Sequence, residues 1–89
     1  MPYLWSDEAW EDYGYWRSQD KKTLKRINAL LKDIARSGND RKPMGKAEML
    51  RHSKEGLCSV RIDAKNRLTY KVDDGVVRVV SCRGHYDDK

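Results

Sequence analysis

The segment Cys82-Arg83-Gly84-His85-Tyr86 sets a guanidinium, an imidazole and a phenol together just beyond an apolar run, Val76-Val77-Arg78-Val79-Val80. A small domain ordinarily ends in a frayed polar tail, so a His-Tyr pair at the exit of a predicted strand points to a site assembled at a sheet edge. Glu48, Arg61 and Arg67 upstream can complete it. A carboxylate, a histidine that titrates near neutrality and two or three arginines are the groups needed to move a proton at a phosphodiester and hold the charge that develops there.

These groups need a scaffold, and the hydrophobic pattern supplies one. Pro2 to Trp5 is short and apolar, fit for a strand, and Ser6-Asp7-Glu8 follows as an N-cap with acids in the first turn. Trp10, Tyr13 and Trp16 then recur at helical spacing, with Glu11, Asp12 and Arg17 on other faces, and the aromatic stripe is expected in the core. Asp20 caps a second helix on which Leu24, Ile27, Leu31 and Ile34 form one stripe, ended by Ser37-Gly38. From Asn39 to Ser53 the pattern is lost, and Arg41, Lys42, Lys46 and Arg51 around Pro43 and Gly45 describe a basic loop that also carries Glu48 and His52.

Beyond Gly56 the period becomes two. Cys58, Val60 and Ile62 share one face of a strand and Ser59, Arg61 and Asp63 the other, with a turn at Ala64-Lys65-Asn66. In the next strand Leu68, Tyr70 and Val72 face inward and Arg67, Thr69 and Lys71 outward. Asp74-Gly75 is a strong hairpin signal. A two-residue turn there pairs Val72 with Val77 and Tyr70 with Val79, and sets Arg78 opposite Lys71. Continued without interruption, that register sends His85 toward the helix side, so a site on the other face needs a bend near Gly84.

The fold expected is α+β: an N-terminal strand, a helical hairpin, then an antiparallel sheet of about four to five strands with one face covered and one open. Residues 1–89 are read as a single domain. A net charge of +5, from 19 Lys+Arg against 14 Asp+Glu, favours a polyanionic partner. No membrane span or secretory leader is visible, and the chain is read as cytoplasmic. Cys58 and Cys82 are too few and too far apart for a disulfide scaffold and read as buried thiols. Cys82-x-x-His85 has the spacing of a metal half-site, but residues three apart on a strand face opposite ways and no Cys-x-x-Cys is present, so no metal or other cofactor is expected.

Leu4-Trp5-Ser6, Ala9-Trp10 with Tyr13-x-Tyr15-Trp16, Ile27-Asn28-x-Leu30, Gly45-Lys46-x-Glu48, Arg61-Ile62, Arg67-Leu68-x-Tyr70 and Cys82-Arg83-x-His85-Tyr86 together give the chain a likeness to a known family. It resembles the RelE superfamily of bacterial toxin mRNA interferases, in particular the YoeB/Txe branch. The resemblance implies a type II toxin that cuts mRNA in the ribosomal A site and is neutralised by a cognate antitoxin; a homodimer and a monomer both stay open. Carried over by position, it implies a general base at Glu48, a transition-state arginine at Arg67, and a terminal acid with its aromatic neighbour at His85 and Tyr86. Lys46 and Arg61 match phosphate-contacting positions, and Arg51, His52, Arg78 and Arg83 join them as candidate RNA contacts. The chain departs from the branch at Ala47, where proline is common, at Gly84, where a bulkier residue is usual, and at Leu57-Cys58, which replace an aromatic pair.

The chemistry implied is metal-independent attack of a ribose 2′-OH on its own 3′-phosphate, giving a 2′,3′-cyclic phosphate and a 5′-OH. Two other classes share parts of this pattern. A gyrase-inhibiting toxin of the same superfamily needs the fold but not Glu48, Arg67 and His85 together; a noncatalytic RNA- or DNA-binding module needs only the basic face.

Overall fold

The computed structural model describes residues 2–37, 47–50 and 56–84. Strand β1 (Tyr3–Trp5) leads into helices α1 (Asp7–Gln19) and α2 (Lys21–Ser37), followed by strands β2 (Glu48–Met49), β3 (Cys58–Arg61), β4 (Arg67–Asp73) and β5 (Val76–Ser81). The strands form one sheet in the order β1-β5-β4-β3-β2. All neighbours are antiparallel except β1, which runs parallel to β5. The sheet is therefore mixed, and two residues that read as loop, Glu48 and Met49, form its edge strand against Ser59 and Cys58.

Local chemistry starts each helix where the sequence places it. Ser6 Oγ accepts from the Ala9 N–H at 3.0 Å, capping α1, and donates to the Val80 carbonyl at 2.7 Å, which ties the helix start to β5. Asp20 Oδ1 accepts from the N–H groups of Lys22 and Thr23, and its Oδ2 accepts from the Thr23 hydroxyl at 2.7 Å. The Thr23 and Lys22 donors hold the Asp20 carboxyl below its ordinary value.

The helices cover one sheet face. Ile27, Leu30, Leu31 and Ile34 of α2 and Ala9 and Trp16 of α1 pack on Val60, Leu68, Tyr70, Val72, Val77 and Val79. Here the expected aromatic stripe is corrected, because Trp10 is 56% exposed and Ala9 takes the core position. Each step of three residues along a helix drifts by about 60° from true repetition, so Trp10 and Trp16 cannot share one buried face. Trp10 instead stacks on Tyr13 at 6.1 Å and meets Trp5 edge-on at 5.8 Å. Nor does Asp12 stand apart from the sheet: its Oδ2 accepts from the Cys82 N–H, and the Trp16 indole donates to the Cys82 carbonyl at 2.8 Å. Both main-chain groups of Cys82, just past the end of β5, are thereby satisfied by α1 side chains.

The hairpin register is the expected one, with Val72 opposite Val77, Lys71 opposite Arg78 and Tyr70 opposite Val79. One step further it slips, since Thr69 faces Ser81. Val80 is thus the extra residue of a β-bulge, which reverses the alternation beyond it. Ser81 joins Thr69 in a cross-strand pair, and Cys82 enters the core. The two-residue register is therefore interrupted at Val80, before it reaches the tail. The expected bend is also present, at Gly84, whose φ of +75° lies in the left-handed region that favours glycine.

Candidate active site on the outer sheet face

On the face away from the helices, cross-strand pairing sets Glu48 of β2 opposite Ser59 of β3, Ser59 opposite Thr69 of β4, and Thr69 opposite Ser81 of β5. Arg61 and Arg67 stand opposite each other at the end of the β3–β4 pair. This face is less open than expected: Ser59, Thr69 and Ser81, the molecule's buried polar residues among those described, form a continuous row across it. Thr69 Oγ1 finds no hydrogen-bond partner among the described residues.

Arg67 links this row to the edge strand. Its Nε donates to Ser59 Oγ at 2.6 Å, and its Nη2 lies 3.9 Å from Glu48 Oε2. The arginine side chain is 22% exposed and the glutamate 78%, so the guanidinium is confined while the carboxylate meets solvent. An ion pair with one partner so exposed adds little stability. What it provides is a juxtaposition: a carboxylate able to accept a proton beside a half-buried cation able to hold an anion. Arg61, exposed and directly across from Arg67, places a second positive charge at the same end of the sheet, an arrangement that repels itself until an anion binds.

The turn between β3 and β4 then ties Gly84 to this group. Asp63 Oδ1 accepts from the N–H groups of Lys65 and Asn66, and the Asn66 side-chain amide donates back to the Asp63 carboxylate. Partial burial raises the Asp63 carboxyl, but the Lys65 and Asn66 donors outweigh it and leave the group below its usual value. So fixed, Asn66 Oδ1 accepts from the Gly84 N–H at 2.8 Å while the Arg67 N–H donates to the Gly84 carbonyl at 2.9 Å. The residue before His85 is held against the backbone of Arg67. This Asp63-Asn66 clasp on Gly84 escaped the sequence reading, in which Asn66 was only a turn residue; an Asp-x-x-Asn spacing between strands is the signal that could have pointed to it.

Other expected residues are distributed differently. Arg78 pairs with Asp73 at 3.7 Å near the β4–β5 turn, four residues along β4 from Arg67 if measured at its neighbour Lys71, or about 13 Å. It belongs to the far end of the face. Arg83 is drawn to the helix layer, its Cζ 3.6 Å from the centre of the Tyr15 ring, in cation–π contact. Lys46, Arg51, His52, His85 and Tyr86 lie outside the described residues. Of the possible metal ligands, Cys82 is buried with its thiol directed to the Ala9 carbonyl at 3.7 Å. Burial, with Asp12 adding to it, pushes the Cys82 thiol up to about 12, and burial raises Cys58 as well.

This fold and this set of residues can be compared with known proteins. A family model described as the YoeB-like toxin of bacterial type II toxin-antitoxin systems matches residues 5–86. Toxin YoeB of Escherichia coli K12 is 43% identical over 86 residues, which cover 97% of this chain and 100% of that protein. A solved YoeB dimer from Staphylococcus aureus has a TM-score of 0.84 at 42% identity, covering 97% of this chain and 98% of that one. A YoeB-YefM complex from the same organism gives 0.81 at 41% identity, with the same coverage. Likeness in sequence and in fold over nearly the whole length, added to the mixed sheet and helical hairpin described above, means that the chain belongs to the YoeB-like toxins of bacterial type II toxin-antitoxin systems.

Proposed function

We propose that this toxin is a metal-independent endoribonuclease that cuts mRNA in the A site of the 70S ribosome and so stops translation. The observation that carries the reading is the Glu48–Arg67 approach of 3.9 Å on the outer face, with Arg61 across the strand pair. Glu48 takes the proton from a ribose 2′-OH, whose oxygen attacks the adjacent phosphorus. Arg67 and Arg61 hold the negative charge that builds on the phosphorane-like transition state. The bond from phosphorus to the 5′-oxygen breaks, His85 supplies a proton to that oxygen, and Tyr86 orients the scissile nucleotide. The products are a 2′,3′-cyclic phosphate and a 5′-OH. Nucleophile and leaving group both belong to the RNA, so the protein's task is proton transfer and charge compensation, for which no cofactor is called on.

Connectivity supports His85 in this role, since Gly84 is hydrogen-bonded to the backbone of Arg67. Lys46, Arg51, His52 and Arg61 serve as phosphate contacts, and Arg78 and Arg83 contribute to the longer-range field. In this reading the toxin acts in the cytoplasm; no helix among the described residues is long and apolar enough to cross a membrane.

The staphylococcal relatives occur as a dimer and in complexes with YefM, a toxin-antitoxin pair. By the same reading this toxin has a cognate antitoxin and can dimerise. The net charge of +5 fits an acidic antitoxin segment that folds across the toxin and competes with RNA.

The test is to map mRNA 5′ ends after expressing wild-type and Glu48→Gln protein, and to repeat the cleavage on purified programmed ribosomes. Codon-phased ends from the wild type, and a loss of about 10²- to 10⁴-fold in the variant, are expected. A toxic protein that leaves mRNA intact on ribosomes would turn the assignment to another target, DNA gyrase first.

A further inference from the structure

We propose that Ser59 is a positioning residue for Arg67: its buried hydroxyl holds the guanidinium by Nε and so presents the Nη edge to Glu48 and to the scissile phosphate. The inference rests on the reading of Arg67 as the transition-state arginine and adds to it a residue with no charge and almost no exposure. Ser59 is 1% exposed, and burying a hydroxyl is unfavourable unless it is hydrogen-bonded. Its bond is to Arg67 Nε at 2.6 Å.

Serine and threonine paired across strands commonly bond each other. Here they do not. Ser59 faces Thr69 in register, yet Thr69 Oγ1 has no partner among the described residues. The serine oxygen is thus given to the arginine rather than to a cross-strand pair. A guanidinium carries one N–H on Nε and four on its two Nη atoms. With Nε held by Ser59 the guanidinium plane is oriented: one Nη2 N–H runs parallel to the Nε–H, and the other Nη donors lie along the outer edge. Nη2 is the atom near Glu48 Oε2.

Two consequences follow for the proposed reaction. The phosphate is met by the outer edge of the guanidinium, which suits a two-point contact with non-bridging oxygens. The same edge faces Glu48 in the free protein, so an arriving phosphate takes over donors that the carboxylate shares and leaves Glu48 free to accept the 2′-OH proton, while Ser59 keeps the guanidinium in place. A guanidinium free to swivel would share itself between both, and misplacement of this order costs about 10- to 10²-fold in rate.

The experiment compares wild type, Ser59→Ala, Ser59→Thr and Arg67→Ala as purified toxins, by single-turnover cleavage on programmed ribosomes and by NMR of the Arg67 Nε–H. Ser59→Ala is expected to lower the cleavage rate by about 10- to 10²-fold, with the toxin concentration giving half-maximal rate changed less than about twofold. Its Nε–H signal should exchange rapidly with water. Ser59→Thr, which keeps the hydroxyl, should restore both rate and signal. A Ser59→Ala toxin that cuts at the wild-type rate, or one that slows with the Nε–H still protected, overturns the inference. Arg67→Ala toxin that still cuts normally instead overturns the reading beneath it.

Discussion

At the scale of single residues, the proposed site is separated into a confined cation and an exposed carboxylate. Arg67 sits on buried Ser59 while Glu48 projects from a two-residue edge strand. That asymmetry suits a reaction in which the charge-holding group must stay in place and the base must reach a substrate oxygen. It also predicts the behaviour of Arg67→Ala. The variant loses one half-buried hydrogen bond, so it should unfold at a free energy about 1–2 kcal/mol below wild type and remain folded at 25 °C. Cleavage, in contrast, should fall by about 10²- to 10³-fold, as for loss of a donor to developing charge. Urea denaturation and ribosome cleavage on one preparation measure both. A folded variant with undiminished cleavage would remove Arg67 from the site.

At the scale of elements, α1 and the β5 bulge are built as one piece. Ser6 spans the helix start and the Val80 carbonyl, and Asp12 and Trp16 hold Cys82 on the far side of the bulge. Ser6→Ala removes the cap and the strap together and should cost about 1–2 kcal/mol, read as a lower midpoint in urea. Helix α2 carries its own pH dependence through Asp20. The folded carboxyl lies below its ordinary value, so its contribution is fully present above the unfolded value, about pH 4, and is lost as pH falls through the folded value. In an acid titration followed by circular dichroism, Asp20→Asn should cap the helix without showing that component of the pH dependence. The sequence carried both caps, the inward and outward residues of β3 and β4, and the hairpin register, because each is written in neighbouring residues. It did not carry the bulge, which arises from the fit of β5 between β1 and β4, or the pairing of Glu48 with Ser59, since two residues are too short for a period to appear. Trp10 misled for a related reason: a spacing of three is shared by a buried face and by a spiral that leaves it. In the site, Glu48, Arg61 and Arg67 are legible as a group from their chemistry, and the two arginines from the outward alternation of their strands, with individual roles coming only through the resemblance, whereas Ser59 and Asn66 became functional candidates only once their partners were known.

Across the whole molecule, the arginines among the described residues are spread over different parts of the fold rather than gathered at the proposed reaction centre. Arg61 and Arg67 lie at the β3–β4 end of the outer face, Arg78 is paired with Asp73 at the other, and Arg83 is engaged by Tyr15 of α1. The described part of the site is therefore a shallow surface with two arginines and one carboxylate. Cutting by a 2′-OH demands that the attacking oxygen, phosphorus and leaving oxygen lie in line, and free RNA pays for that geometry in lost backbone freedom. The described face offers few groups with which to impose it. A codon already held and bent in the ribosomal A site has met most of that cost beforehand, and pre-orientation of this kind can be worth many orders of magnitude. The same mRNA should therefore be cut at least ~10³-fold faster in a programmed 70S complex than free in solution, with the enhancement persisting when toxin is saturating, because it acts on the chemical step and not only on capture. Single-turnover rates on the two substrates decide the matter. Equal rates would assign the chain to the general ribonucleases, and a ribosome effect that vanished at saturating toxin would reduce the ribosome's part to delivering the RNA.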